Sequence, residues 1–348
     1  MKIISGEADL AVYRTSLQNY PLYKEHEEEE GYRVIPVPGL NSAEVGFGVN
    51  QNHPDPFLRR IFQDVRFRQA LSVAINREEI NDTVYFGLAV PVQATVLPTA
   101  NYYKEEWGKA YAQYDPDEAN RLLDEVGLTK RDKDGFRVDP AGEPILLLVE
   151  YYAANYPDIT EFELVKEYWE DVGLKVMTKG LSHGIFDLRV RALDHIITVH
   201  PYQDATEVLT YLYGGFRTMP NGLKECPAWD EWLGANYDVS IGTKKLEDFE
   251  GGKLPGEEPP ENVKQQWQRG QQLLQTRFHS KEYMQISQEI YDYQAEYLYA
   301  IGTVAMAPQI VIVKKNLRNV PETVRPDDGK VVGLEHESQQ FFWKQQEK

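Results

Sequence analysis

Residues 145–178 read ILLLVEYYAANYPDITEFELVKEYWEDVGLKVMT, and this stretch decides the fold class. Ile145–Tyr152 is a short run, apolar but for Glu150, of the length a buried strand needs. Thr160 followed by Glu163 has the pattern of a capping box. Val165, Tyr168, Trp169 and Val172 then recur at helical spacing as far as Gly173, where the helix stops. Leu174–Thr178 reads as a second strand. Strand, helix and strand within about 35 residues make a βαβ unit, which belongs to a parallel or mixed sheet.

The pattern extends in both directions. Towards the amino terminus, Asp115-Pro116-Asp117-Glu118 opens a helix with a cap, a proline at the first helical position and two carboxylates at the positive end of the dipole. Ala119, Leu122, Leu123 and Val126 carry its apolar face, and Gly127 ends it. Further upstream Asp64 caps a helix with Phe67, Ala70, Leu71, Ala74 and Ile75 on one face. Towards the carboxyl terminus, His195–Val199 reads as a strand, and a helix starts at Asp204 with Glu207 three residues on. Two long helices are expected at about 262–278 and 281–299, the first with Val263, Trp267, Leu274 and Phe278 facing inward. Ile310–Val313 reads as a late strand. Asp238–Pro260 holds Gly242, Gly251, Gly252, Gly256, Pro255, Pro259 and Pro260 and reads as a surface loop. These elements describe an α/β lobe.

The length of 348 residues suits two domains, or one large lobe with attachments. A hydrophobic share of 42% excludes general disorder. No run of apolar residues is long enough for a membrane span. The formal charge, 37 − 55 = −18, repels phosphate backbones and anionic lipid, so neither nucleic acid nor a membrane surface is an expected direct partner. Met1–Glu7 turns polar after two apolar residues and lacks the apolar core of a secretion signal. The signal then lies upstream, or the protein is cytoplasmic. With a single cysteine, Cys226, no internal disulfide forms. The 22 tyrosines and 6 tryptophans fill core, or line a cleft with flat faces that stack on sugars or cover peptide side chains.

A search for reaction chemistry is negative. There is no nucleophile elbow, phosphate loop or dinucleotide fingerprint, and Gly46-Phe47-Gly48 lacks the third glycine. His26-Glu27-Glu28-Glu29-Glu30 lacks the second histidine of a zinc protease and reads as a solvated helix face. His195 and His200, five apart by a strand, point to opposite faces and share no metal. Cys226 reads as structural. No catalytic residue, metal or cofactor is therefore expected. Carboxylates are abundant enough that a glycoside- or peptide-acting enzyme stays open as the alternative.

Several segments resemble the family 5 extracellular solute-binding proteins of ABC transporters, the oligopeptide- and dipeptide-binding group that also contains oligosaccharide binders. Asp64-Val-Arg-Phe-Arg-Gln-Ala-Leu-Ser-Val-Ala-Ile-Asn76-Arg-Glu-Glu-Ile80 is similar to that family's long-helix motif. Gly6-Glu7-Ala8-Asp9, Gly87–Pro91 with Leu97-Pro98, Tyr114–Ala119 through Leu122-Leu123 and Gly127, and Asn316–Pro321 match its shorter motifs. The resemblance covers most of the chain except about 238–260. It implies a periplasmic-binding-protein type II-like lobe with a mixed sheet, formed by residues 53–306. Residues 1–52 and 307–348 would then be pieces of a discontinuous first domain. It also implies a periplasmic or extracellular location, closure of two lobes about a peptide or oligosaccharide, and delivery to ABC permease subunits. One position departs from the pattern. The Asp with which the family's peptide binders hold the peptide amine falls at Pro201 here, and the nearest acid, Asp204, reads as a helix cap. An oligosaccharide or other polyol thereby becomes as reasonable a ligand as a peptide.

The expected cleft residues are Asn50 at the hinge, His200 and Tyr202 after the strand, Trp229 with Trp232, and Tyr102 beside Tyr103. Each tryptophan could instead be a buried anchor. A non-binding fragment and a sensor-linked receptor of the same fold are the further alternatives. The chain is expected to hold only one wall of the cleft.

Overall fold

The protein is described from a computed structural model covering residues 4–12, 15–156, 158–202, 225–320 and 341–344. In chain order its strands are β1 (Leu10–Ala11), β2 (Tyr32–Val37), β3 (Ala43–Val49), β4 (Val90–Pro91), β5 (Leu146–Tyr152), β6 (Lys175–Leu181), β7 (Ile197–Tyr202), β8 (Ala300–Gly302), β9 (Val304–Ala305), β10 (Gln309–Lys314), β11 (Leu317–Arg318) and β12 (Phe342–Trp343). The α-helices are α1 (Tyr20–Glu25), α2 (Pro56–Gln63), α3 (Val65–Val73), α4 (Arg77–Tyr85), α5 (Glu105–Lys109), α6 (Pro116–Glu125), α7 (Thr160–Asp171), α8 (His183–Arg191), α9 (Pro227–Ser240), α10 (Glu261–Gln275) and α11 (Lys281–Tyr297).

The βαβ unit forms as its pattern predicts, with β5 and β6 paired in parallel from Leu146↔Lys175 to Tyr152↔Leu181. The central sheet has the order β6-β5-β7-β3-β8. β5 is parallel to β7 as well, whereas β3 runs antiparallel to β7 and β8. From β5 the chain crosses through α7 to β6 on one side, then returns through α8 to β7 on the other, so the winding reverses at β5. Trp169 of α7 lies edge-on to Phe47 of β3 at 5.2 Å and donates its Nε1–H to Leu71 O at 2.9 Å. One aromatic side chain thereby joins helix to sheet and to α3.

Capping follows the sequence in two places. Asp115 accepts the Glu118 N–H at 2.9 Å, and Asp64 accepts the Arg66 N–H at 3.0 Å. In the long motif, Arg68 and Arg77 are buried staples. Arg68 donates to Tyr297 O at 2.8 Å with Tyr299 beneath it, and Arg77 donates to Gly302 O at 2.9 Å and Ser72 Oγ at 2.8 Å. Burial lowers the Arg77 guanidinium to about 9, so backbone carbonyls are what keep this charge inside.

Three expectations are corrected. Helix α7 begins at Thr160 instead of being capped by it, because the Asp158 carboxylate takes both the Thr160 N–H (2.9 Å) and its hydroxyl (2.6 Å). Glu163 is then released to accept from Thr178 Oγ1 on β6, at 2.9 Å. On α10 the buried stripe is Val263, Gln266, Gly270 and Leu273, which packs on α11. Leu274 is 59% exposed, and Phe278 lies beyond the helix end. Gly270 is buried there and Ile290 O accepts from the Gln266 amide at 3.1 Å, so polar and small residues replace the purely apolar stripe. Strand β7 starts at Ile197 and continues to Tyr202, which places His200 inside it. The helix expected from Asp204 and Glu207 lies outside the described residues.

A second, three-stranded antiparallel sheet, β1-β10-β2, draws on both ends of the chain. Two connectors join it to the rest of the lobe: residues 38–42 lead into β3 of the central sheet, and residues 306–308 lead out of β9, which pairs with β4. The division expected at residue 52 cuts after β3, which is hydrogen-bonded into the central sheet. The connectors touch. Met306 N donates to Asn41 O at 2.9 Å, and a Cβ at Gly39 would stand 2.2 Å from Ala307 O, so only glycine fits.

Candidate ligand-binding site

Open α/β sheets receive ligands outside the carboxyl ends of their strands, where the winding reverses. Here that place is the end of β5, β6 and β7. Tyr152, the last residue of β5, stacks on His183 with centroids 4.4 Å apart and planes 8° from parallel. Phe186 lies 4.3 Å from Tyr152, and His200 meets Phe186 at right angles, 5.5 Å away. Asp187 organises the group by accepting the Tyr152 hydroxyl at 2.8 Å while lying 3.0 Å from His183 Nδ1. Burial, reinforced by Asp187, pushes the Tyr152 phenol well above its usual range, so it stays a protonated donor. The His183 side chain is 76% exposed and offers one ring face to solvent. One turn after Phe186, Arg189 pairs with the buried Glu150 of β5 at 2.5 Å and holds α8 against the sheet.

One cavity adjoins this cluster and another lies at the connectors. The larger, about 820 Å³, runs beside α8 and the start of α9, with Asp187, Arg191, Asp230 and Glu231 among its walls. That volume is within the range of small-ligand sites. The smaller, about 510 Å³, sits at the connectors and is lined by Glu44, Tyr85, Tyr156, Asp158, Glu161 and Pro201 among others. Among the described residues, no group of three or more His, Cys, Asp or Glu side chains is arranged to hold a metal ion.

The six expected cleft residues do not converge. His200 is buried within the aromatic cluster, and Tyr202 closes β7 opposite Ala43, beside the connectors. Asn50 lies past the far end of β3, a strand of seven residues away from the connectors. Its amide is committed to Leu193 O and His195 O, at 3.0 and 2.8 Å. Asn50 thereby ties the end of β3 to the backbone just before β7. Tyr102 is fully buried against Tyr291 and Tyr283, and Tyr103 leans on Trp107. Trp229 is buried with Cys226, Leu233, Val263 and Tyr299, and Trp232 is partly buried beneath Lys264. These rings anchor the core, as the alternative reading of each tryptophan has it. Sequence reasoning missed Tyr152, His183, Phe186 and Asp187. The available signal was their position: Tyr152 ends the first strand of the βαβ unit, and His183 follows the second.

The family model of the bacterial extracellular solute-binding proteins, family 5, matches residues 1–219. The chain belongs to that family. A probable ABC transporter-binding protein of Deinococcus radiodurans is 29% identical over 152 residues, 43% of this chain and 25% of that protein. The solved structure of an oligopeptide-binding protein OppA is 34% identical, with a TM-score of 0.79, covering 99% of this chain and 54% of that one. The periplasmic binding protein MelB of Agrobacterium fabrum, solved in complex with stachyose, shares the fold at a TM-score of 0.63 and 16% identity, covering 96% of this chain and 47% of its own. The family 5 chain described here thus spans about half the length of the solved proteins it matches. Among the described residues no helix is long and apolar enough to cross a membrane.

Proposed function

We propose that this chain forms one wall of the substrate-binding component of an ABC importer. It holds a short oligopeptide or oligosaccharide against the carboxyl ends of β5–β7 and delivers it to permease subunits on the periplasmic or extracellular side. The observation that carries the reading is the Tyr152–His183–Asp187 group at the reversal of winding, in a chain of family 5. A flat ring face beside fixed donors and acceptors suits a solute rich in hydroxyl or amide groups. Strands β1, β2 and β10 supply a first-domain piece beyond the two connectors, and closure pivots there.

The reading assigns no catalysis to the site. Nothing in the Tyr152 group pairs a nucleophile with a base, since its one carboxylate is committed to the phenol and the imidazole. Calorimetry with oligopeptide and oligosaccharide pools is the test, run on this chain and on one extended upstream. Weak binding by this chain that strengthens at least tenfold on extension supports the proposal. Equal tight binding by both puts the whole site within these residues, and saturable hydrolysis of a chromogenic glycoside or peptide makes the protein an enzyme.

A further inference from the structure

Helix α8 carries two of the three groups of the Tyr152 site, so its orientation decides whether they meet. His183 and Asp187, four residues apart, lie one above the other on one flank of α8. Phe186 and Val190 are its buried residues and pack with Tyr152 and Leu181. Arg189, two residues after Asp187, falls about 200° around the helix from it, on the opposite flank. Each flank is tied to the same strand. Asp187 accepts from Tyr152 Oη at 2.8 Å, and Arg189 Nε donates to Glu150 Oε1 at 2.5 Å. Glu150 precedes Tyr152 by two residues on β5 and so shares its face of the sheet. The apolar contacts between the two ties are non-directional, and by themselves they would let the helix roll about its axis. A tie on each flank stops the roll.

The same guanidinium fixes the end of the helix. Arg189 Nη1 pairs with the Asp194 carboxylate at 2.5 Å, and Nη2 donates to Asp194 O at 2.8 Å. Leu193, just before it, holds φ at +59°, a left-handed conformation that glycine usually supplies at a helix end. Asn50 Nδ2 donates to Leu193 O and His195 O, on either side of Asp194. A strained backbone persists only where its surroundings over-determine it, and these bonds do so. Arg189 and Asn50 together anchor the turn after α8 to β5 and β3.

We propose that Arg189 is a positioning residue for the site: it fixes the roll of α8 and thereby holds the His183 ring flat on Tyr152. Its effect on a bound solute rests on the function proposed above, whereas its effect on the rings does not. Lysine at 189 would keep the charge but lacks the planar fork that meets Glu150 and Asp194 together.

The test is NMR of the full chain with labelled histidine, His183 being assigned by its loss in His183→Asn. A ring stacked at 4.4 Å displaces the His183 ring protons upfield, and Tyr152→Leu supplies the undisplaced reference. Arg189→Gln should remove at least half of the displacement and Arg189→Lys a smaller part, and the lysine variant serves if the glutamine one does not fold. In the upstream-extended chain, Arg189→Gln should also weaken calorimetric binding of the oligopeptide or oligosaccharide pool threefold or more. An unchanged His183 displacement in whichever variant folds overturns the proposal, even if stability falls, because the arginine would then be only structural. A lost displacement with unchanged affinity upholds Arg189 as the positioning residue of the rings and overturns the placing of the solute against them.

Discussion

Replacing Glu161 by glutamine should make the protein more stable in mild alkali and leave it little changed in acid. Glu161 is 4% exposed, and its two oxygens are bonded to Tyr85 and Thr303, both hydroxyls. Hydroxyls rotate, so a glutamine amide can accept from Tyr85 and donate to Thr303 without stranding a partner. The substitution therefore removes a titration and keeps the hydrogen bonds. With a folded value of about 7 and an unfolded one of 4.5, Glu161 binds its proton more tightly in the native state. Stability must then fall as pH rises between those values. Each unit of difference is worth about 1.4 kcal/mol, so one group removes roughly 2–3 kcal/mol between pH 5 and 8. Urea unfolding followed by tryptophan fluorescence at both pH values measures this directly. Wild type should lose most of that amount on going to pH 8, and Glu161→Gln should recover it. Should the variant show the same pH dependence as wild type, or be less stable at pH 8, the carboxylate is not carried as a desolvated acid and the reasoning fails.

Two further substitutions separate binding from folding. Asp115→Ala removes one cap from α6 and should cost about 1 kcal/mol in urea unfolding, with ligand affinity unchanged by calorimetry. Tyr152→Ala strips the ring beneath His183 and the donor to Asp187. It should weaken binding tenfold or more in the upstream-extended chain, and unaltered affinity there would move the site away from β5.

Local chemistry was legible wherever neighbours in sequence are neighbours in space. The caps at Asp64 and Asp115, the parallel pair around 145–178 and the buried face of α3 all follow from spacing and short-range hydrogen bonds. Membership of family 5 was legible as well, because its motifs encode those same local structures together with the two buried arginines, Arg68 and Arg77. What the arginines do was not legible, since Arg68 reaches Tyr297 and Arg77 reaches Gly302, more than two hundred residues on.

The candidate site depended on tertiary structure altogether. Spacing marks an aromatic residue as apolar but does not say which of its faces is covered. Tyr102 and Trp229 were therefore indistinguishable in sequence from Tyr152, although packing buries all three in satellite clusters and sets only Tyr152 at a strand end beneath the exposed His183. The two connectors show the same division. A glycine at 39 and glutamates at 44 and 161 carry no pattern of their own. They acquire meaning only when β3 and the second connector, some 260 residues apart, are brought into contact, where Ala307 N finds Glu44 and Ala307 O leaves no room for a Cβ at Gly39. Propensity and capping act over one turn of chain and so can be read from the sequence. Desolvation and close approach depend on what folds over a residue, and only the tertiary structure decides that.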